Sequence, residues 1–423
     1  MERIIKLLEK AGIGEYSALQ IKERTAELFF VKKQLDTRRI KDVEKFHVTV
    51  YRTAEADGQK LKAQTEAMLL SSMSDDEIIK ALKDAYFAAQ FAMNPYYEAP
   101  SPVTAPLIEK KGALAGTEPE KAAGIMAEAL FAADCREDAF INSAEVFISK
   151  KRIRVVTSAG TDVSWTDAKA SGEYVVQAKE PEDVEMYRSF AYTELETGAL
   201  NAQVSEMLDF VRDRARAQRI LKSGNYDLIL TGGNAAELFT YYGGRSSAQM
   251  LYPHYSTWSV GDDVQGETAG ERLELTLRAS APYSSEGIPM RDRKLIENGR
   301  MMTVHGANRF CRYLGVEPTG DYRKLSCDNA GSMSFDEMKQ RPCLWAVTFS
   351  DFQMDFFSGH FGGEIRLAYL IEDGKATPVT GGSVNGSIIE AQKDIAFSTD
   401  RFKSEDYEGP YAVLLKGVSV AGE

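Results

Sequence analysis

Hydrophobic positions change period several times along this chain, and each change predicts an element. Ile4, Ile5, Leu7 and Leu8 fall at helical spacing in the opening MERIIKLLEKAG segment, which reads as an amphipathic helix. Residues 26–34 and 44–52 read as strands. Asp57-Gly58 marks a reversal, because glycine takes positive φ without a steric cost. Three- and four-residue spacing returns at Ile78, Leu82, Tyr86, Ala89 and Met93. Ser74 and Glu77 are spaced as a capping box at the start of that helix, and Pro95 ends it.

Residues 94–119 hold five prolines and read as a linker. Thr117 and Glu120 predict a second capping box, with Pro119 in the first turn of a helix that ends near Cys135. Strands are expected over 140–149, 152–158, 161–165 and 172–178, with reversals at Lys150-Lys151 and Ala159-Gly160. A long helix from about 201 to 221 carries Val204, Met207, Leu208, Val211 and Ala215 on one face. Residues 226–244 run from a strand into a helix, and 272–279 alternate strictly. Asn298-Gly299 and Asp373-Gly374 are two-residue hairpin loops, since both positions need positive φ. Ser334 and Glu337 cap one further helix.

The pattern predicts an α+β protein. An N-terminal α/β domain over 1–185 has helices on a mixed sheet, with a sub-boundary at 95–117. A β-rich domain follows over 186–423.

Composition narrows the functional classes. A net charge of −12 with no basic stripe excludes binding to nucleic acid through phosphate neutralisation. No stretch nears 18 consecutive apolar residues and the N-terminus has no apolar h-region, so neither a membrane span nor a signal peptide is expected. Cys135, Cys311, Cys327 and Cys343 form no CxxC pair and read as free thiols in a reducing cytoplasm.

Several separate segments carry a resemblance. They are the strand–helix unit at 226–244, Ser284-Ser285-Glu286-Gly287-Ile288-Pro289, and 315–321 followed by 329–334. Phe357-Ser358-Gly359-His360-Phe361 leading to Asp373-Gly374 completes the set. In this order they resemble the TldD/PmbA family, also called modulators of DNA gyrase. The resemblance implies two subunits closing around a cavity that admits unfolded peptides for proteolysis. In the catalytic branch a helix bearing His-Glu-x-x-x-His and a late cysteine hold zinc, with the Glu as general base. Here the helix reads Ala235-Ala236-Glu237-Leu238-Phe239-Thr240-Tyr241-Tyr242, and no cysteine follows Cys343.

The chain therefore resembles the non-catalytic TldE/PmbA-like branch, inactive alone and without cofactor, with zinc expected only in a catalytic partner. The expected partners are a second copy or a TldD-like subunit, and an unfolded peptide. Two alternatives stay open: a self-standing homodimeric peptide-binding or regulatory protein, and a peptidase with an unrecognised metal site.

Ser285, Glu286 and Gly287 in one segment, and His360, Phe361 and Gly362 in another, are the expected peptide contacts. Small residues admit a foreign backbone, which an exposed sheet edge then binds by strand addition. His47, His254, His305 and His360 are too far apart in sequence to form a local ligand pair. Glu237 reads as an exposed helix carboxylate with no metal to serve. Trp345, Phe349, Phe352, Phe356 and Phe357 read mainly as sheet core, with part of the cluster as a candidate lining for an apolar groove.

Overall fold

The structure, a computed structural model, describes residues 1–219 and 221–422. Its first sheet orders Asn94–Pro95, Gln59–Leu70, Gln34–Ala56, Tyr16–Val31, Phe140–Thr157, Asp162–Ala178 and Val184–Tyr192 side by side, each antiparallel to its neighbours. The proline-rich linker adds parallel bridges at Thr104–Asp162 and Ile108–Trp165, where Val184–Tyr192 does not reach. The sheet thus continues to Tyr192, past residue 185, before the chain enters helix Thr197–Arg216.

Where the sequence predicts four short strands between 140 and 178, two long ones form. Lys150 and Lys151 lie mid-strand instead of at a reversal. The Lys150 ammonium donates to Ala115 O at 2.8 Å, and Lys151 meets Glu23 at 3.4 Å. Both predicted capping boxes at Ser74 and Ser334 form. The one at Thr117 does not: its hydroxyl donates back to Ala113 O at 2.8 Å, and Glu118 takes the N-cap position of helix Pro119–Ala132.

Helices cover one face of this sheet. Helix Glu2–Lys10 buries Ile4, Leu7 and Leu8, and helix Asp75–Ala89 buries Ile78, Leu82, Ala85 and Ala89, against Phe46, Val48 and Leu69. Each fully buried leucine or isoleucine there contributes roughly 1.5–3 kcal/mol. At the other end of the sheet, Pro119–Ala132 and Thr197–Arg216 pack on Val146, Ile148 and Ala170. The predicted stripe of Val204, Met207, Leu208, Val211 and Ala215 is buried throughout. This helix stops at Arg216, short of the expected 221, because Ala217 turns to extended backbone and Gln218 bridges Val379. Phe210 on the same helix meets the Trp345 ring edge-on at 5.8 Å, so the helix wedges the first sheet against the C-terminal half.

Two further sheets build that half. Six short strands include Arg293–Glu297, Leu275–Arg278, Lys324–Cys327 and Tyr407–Pro410. In the third sheet Cys343–Met354, Gly224–Thr231, Ala412–Ala421, Ser383–Ser387 and His360–Glu372 follow one another, and the last pairs back with the first. The ring is closed. Both predicted hairpin loops occur, with Asn298, Gly299, Asp373 and Gly374 all at positive φ. Cys311, Cys327 and Cys343 are buried free thiols, and burial pushes Cys311 and Cys343 up to about 11. No helix among the described residues is long and apolar enough to cross a membrane.

Candidate functional site

Strand Gly224–Thr231 ends at Gly232, whose φ of 56° starts a sharp turn into helix Gly233–Glu237. The helix breaks at Leu238 and Phe239 and resumes as Thr240–Arg245. At the break the Thr240 hydroxyl donates to Glu237 O at 2.7 Å, a local bond that competes with helix continuation. Ala235, Leu238, Phe239, Tyr241 and Tyr242 all point into the core. The Tyr242 hydroxyl is buried and donates to Gln392 Oε1 at 2.6 Å.

An open groove of about 550 Å³ lies nearby, formed by segments that pack on this helix at Tyr241 and Gly244. Its walls are the end of Cys343–Met354, the turn at 355–359, the start of His360–Glu372, and Val384 and Asn385. Asp355 shapes the turn. Its carboxylate accepts from the Phe357 N–H at 2.9 Å and from the Ser358 hydroxyl, and these bonds hold its pKa below the usual range. The chain then reverses at Gly359, with φ of 78°.

Contacts between helix and groove are close. A Cβ on Gly244 would stand 3.0 Å from Phe356, and one on Gly359 would stand 3.2 Å from Tyr241. Arg245 donates to Tyr255 O and, at 3.4 Å, to Phe357 O, while its guanidinium lies 5.6 Å from the Trp258 ring. Those two carbonyls belong to an exposed aromatic shelf. Phe356 and Phe357 stack at 4.8 Å, Tyr255 meets Phe357 at 5.8 Å, and Phe357 and Tyr255 are 54% and 60% exposed. Phe356 and Phe357 are thus surface residues, while Trp345, Phe349 and Phe352 pack against the core.

Glu237 is half-buried, not exposed. Burial raises its pKa, opposed by the Met354 backbone N–H on the groove wall.

The six predicted contact residues divide between two places. His360, Phe361 and Gly362 line the groove, with the His360 ring 3.3 Å from Gly386 O. Ser285, Glu286 and Gly287 do not. They lie where the C-terminal half meets the first sheet, beside Tyr283, whose ring is 6.0 Å from Trp165. Ser285 is exposed there, and Gly287 has φ of 76° with Thr161 only 2.7 Å from where its Cβ would be. The Glu286 carboxylate accepts from Asn308 N at 2.9 Å, and burial raises its pKa.

Strand addition at His360–Glu372 has no free edge to use. Residues Phe361, Gly362 and Gly363 pair with Met354, Gln353 and Phe352 on one side and with Gly386, Asn385 and Val384 on the other. A Cβ on Gly362 would meet Val384 O at 2.8 Å, and one on Gly363 would meet Asp351 O at 2.4 Å. These glycines admit neighbouring strands of the same ring, not a foreign backbone.

Sequence reasoning missed Asp355, Arg245 and Tyr255. Only Asp355 has a local signal, an aspartate two residues before the N–H that it accepts from.

Residues 223–422 match the model of the PmbA/TldA metallopeptidase C-terminal domain. The C-terminal region of the chain is thus a domain of the TldD/PmbA family. A metalloprotease TldD homologue from Haemophilus influenzae is 31% identical over 139 residues, covering 29% of this chain and 29% of that protein. A metalloprotease from Methanothermobacter thermautotrophicus is 26% identical over 216 residues, covering 44% and 46%. The matched region thus spans less than half the length of either relative. The fold as a whole is like that of TldE from Thermococcus kodakarensis, with a TM-score of 0.77 at 16% identity over 99% of this chain and 100% of that one. A proposed modulator of a DNA gyrase from Thermotoga maritima has a TM-score of 0.77 at 16% identity, covering 99% of both chains.

The residues of this TldD/PmbA-type domain do not fit the zinc that the resemblance implies for a catalytic branch. With Glu237 set on the motif glutamate, Ala236 and Tyr241 stand at the two histidine positions, and neither a methyl group nor a buried phenol supplies an imidazole donor. Among the described residues, no three His, Cys, Asp or Glu side chains are grouped to hold a metal ion.

Proposed function

We propose that this chain is the non-catalytic subunit of a TldD/TldE-type metallopeptidase complex, and that its groove holds a stretch of unfolded peptide for a catalytic partner. The observation that supports this is that Ala236 and Tyr241, on either side of the helix break near the groove, stand where the implied motif has histidines, while the groove itself keeps an exposed aromatic wall. Such a site binds and orients but has no group to activate water.

Capture runs through side chains. Apolar segments of the peptide stack on Tyr255, Phe356 and Phe357, rings that are otherwise left to water. Gln353, His360 and Asn385 face the same space and offer hydrogen bonds to a peptide backbone of any sequence. Zinc then resides in the partner, and the complex works in the cytoplasm.

The test is a fluorescent unfolded-peptide assay on wild type and Phe356→Ala/Phe357→Ala, beside metal analysis and co-purification with a TldD-like subunit. Peptide affinity is expected to fall at least about tenfold in the double variant with melting unchanged, the loss of roughly 1.4 kcal/mol. Unchanged binding, or stoichiometric zinc on this chain alone, refutes the reading.

A further inference from the structure

Strand Gln34–Ala56 has one neighbour along part of its length. Its pairing with Gln59–Leu70 begins at Lys45 opposite Leu70, and Glu44 O accepts from Ser71 N at 3.2 Å, so residues 34–43 are bonded to Tyr16–Val31 on one side only. All residues from 31 to 43 are exposed, yet they include Val31, Leu35, Ile40 and Val43, each at least 41% exposed. A long edge strand with large apolar side chains and unpaired backbone groups is a template for another strand. At about 3.4 Å per residue, the ten positions give an edge of roughly 34 Å.

The charges on this edge identify the occupant. The chain carries −12 overall, but residues 34–44 balance Asp36, Asp42 and Glu44 with Arg38, Arg39 and Lys41. Two copies that repel elsewhere can approach here. Three of these six charges already have partners: Arg39 and Lys41 bridge Glu27 at 2.8 and 2.6 Å, and Lys22 bridges Glu44 at 3.4 Å. Among the described residues, Arg38 and Asp42 have no ion-pair partner, and they flank Ile40 symmetrically.

We infer that this edge pairs antiparallel with the same edge of a second copy of the chain, about a two-fold axis at Ile40. That register sets each Arg38 against the other copy's Asp42, and Ile40 against itself. A centre at Thr37 would oppose Arg38 to Asp36 instead, but it overlaps residues 34–40, so it leaves Val43 uncovered and sets Ile40 against the polar Gln34. The pairing ends at Thr37 opposite Val43; beyond it Asp36 faces Glu44, whose carbonyl accepts from Ser71 N and whose charge Lys22 offsets.

This interface is separate from the groove, and its test reads assembly instead of peptide capture. Sedimentation of the full chain in about 0.15 M salt is expected to give a dimer. Arg38→Asp should weaken it at least tenfold by opposing two acids, and the swap Arg38→Asp/Asp42→Arg should restore it. Ile40→Cys in a Cys135→Ser background should crosslink to itself under mild oxidation. A monomeric wild type, an Arg38→Asp dimer as tight as wild type, or a charge swap that fails to recover overturns the inference. If Arg38→Asp lowers the melting temperature, the Ile40→Cys crosslink decides. Its absence, or its formation only with a TldD-like subunit, counts against a second copy. Peptide binding measured on the monomeric variant reports on the groove independently.

Discussion

Gly244 and Phe356 stand face to face: a Cβ on the glycine would lie 3.0 Å from both the Cβ and the ring of the phenylalanine. Helix Thr240–Arg245 leaves out a side chain where the aromatic shelf of the groove rests.

Gly244→Ala should therefore move the shelf. Alanine favours the helix by up to about 1 kcal/mol, which offsets part of the new contact, so the melting temperature should change by only a few degrees. Phe356 is a surface side chain and yields first. Unfolded-peptide affinity should drop several-fold, and a fluorescence titration beside a melting curve checks it. An affinity equal to wild type would disconnect this helix from the groove.

Gly362 and Gly363 behave differently because their neighbours are backbone. Alanine at either position meets Val384 O or Asp351 O within the closed ring, and a carbonyl between two paired strands has nowhere to go. Each substitution is expected to cost about 1–3 kcal/mol, read as a lower denaturant midpoint at unchanged slope. Wild-type stability in Gly363→Ala would mean that these strands are packed less closely than the 2.4 Å approach to Asp351 O requires.

These same two glycines mark what the sequence conceals. A glycine pair beside His360 reads equally well as a bed for a foreign strand or as the seam of a closed ring. Only the long-range pairing of Gly363 with Phe352 and Val384 decides between them. Periodicity revealed what is local: the stripe on Thr197–Arg216, the capping boxes at Ser74 and Ser334, and the Asn-Gly and Asp-Gly loops. Lys150-Lys151 misled because two polar residues look alike at a turn and on the exposed width of a long strand. His360, Phe361 and Gly362, expected as peptide contacts, line the groove. Ser285, Glu286 and Gly287 share their small and polar character but serve a junction with Thr161, and no local pattern separates the two uses.

Glu286 gives that junction a pH dependence. Burial raises its pKa above the ordinary 4.5, so the fold prefers the protonated acid. The associated stability is fully present below about pH 4.5 and is lost as pH rises through the folded value. At pH 7 the buried carboxylate is a cost, offset in part by Asn308 N. Glu286→Gln keeps a carbonyl for that N–H without the charge. It should raise the melting temperature at pH 7 and give no gain at pH 4. A variant less stable than wild type at pH 7 would show that the charge itself holds the two halves together.

His305 works in the opposite direction. Its ring is buried, Nε2 lies 2.8 Å from Gly243 O, and Nδ1 has no partner, which fixes the neutral tautomer with the proton on Nε2. Burial lowers its pKa below the ordinary 6.5, so the unfolded chain takes up a proton before the folded one does. Stability from this group is therefore intact above about pH 6.5 and is lost as pH falls toward the folded value, by at most about 1.4 kcal/mol per pH unit. Gly243 O sits near the end of helix Thr240–Arg245, so the loss should appear first as loosening beneath the aromatic shelf. His305→Gln retains an amide donor for Gly243 O but cannot titrate. Urea unfolding at pH 7.5 and 5.5 should show wild type losing stability over that interval and the glutamine variant losing less. Parallel losses in the two proteins would remove His305 from the account and leave its buried, unpaired nitrogen without a consequence.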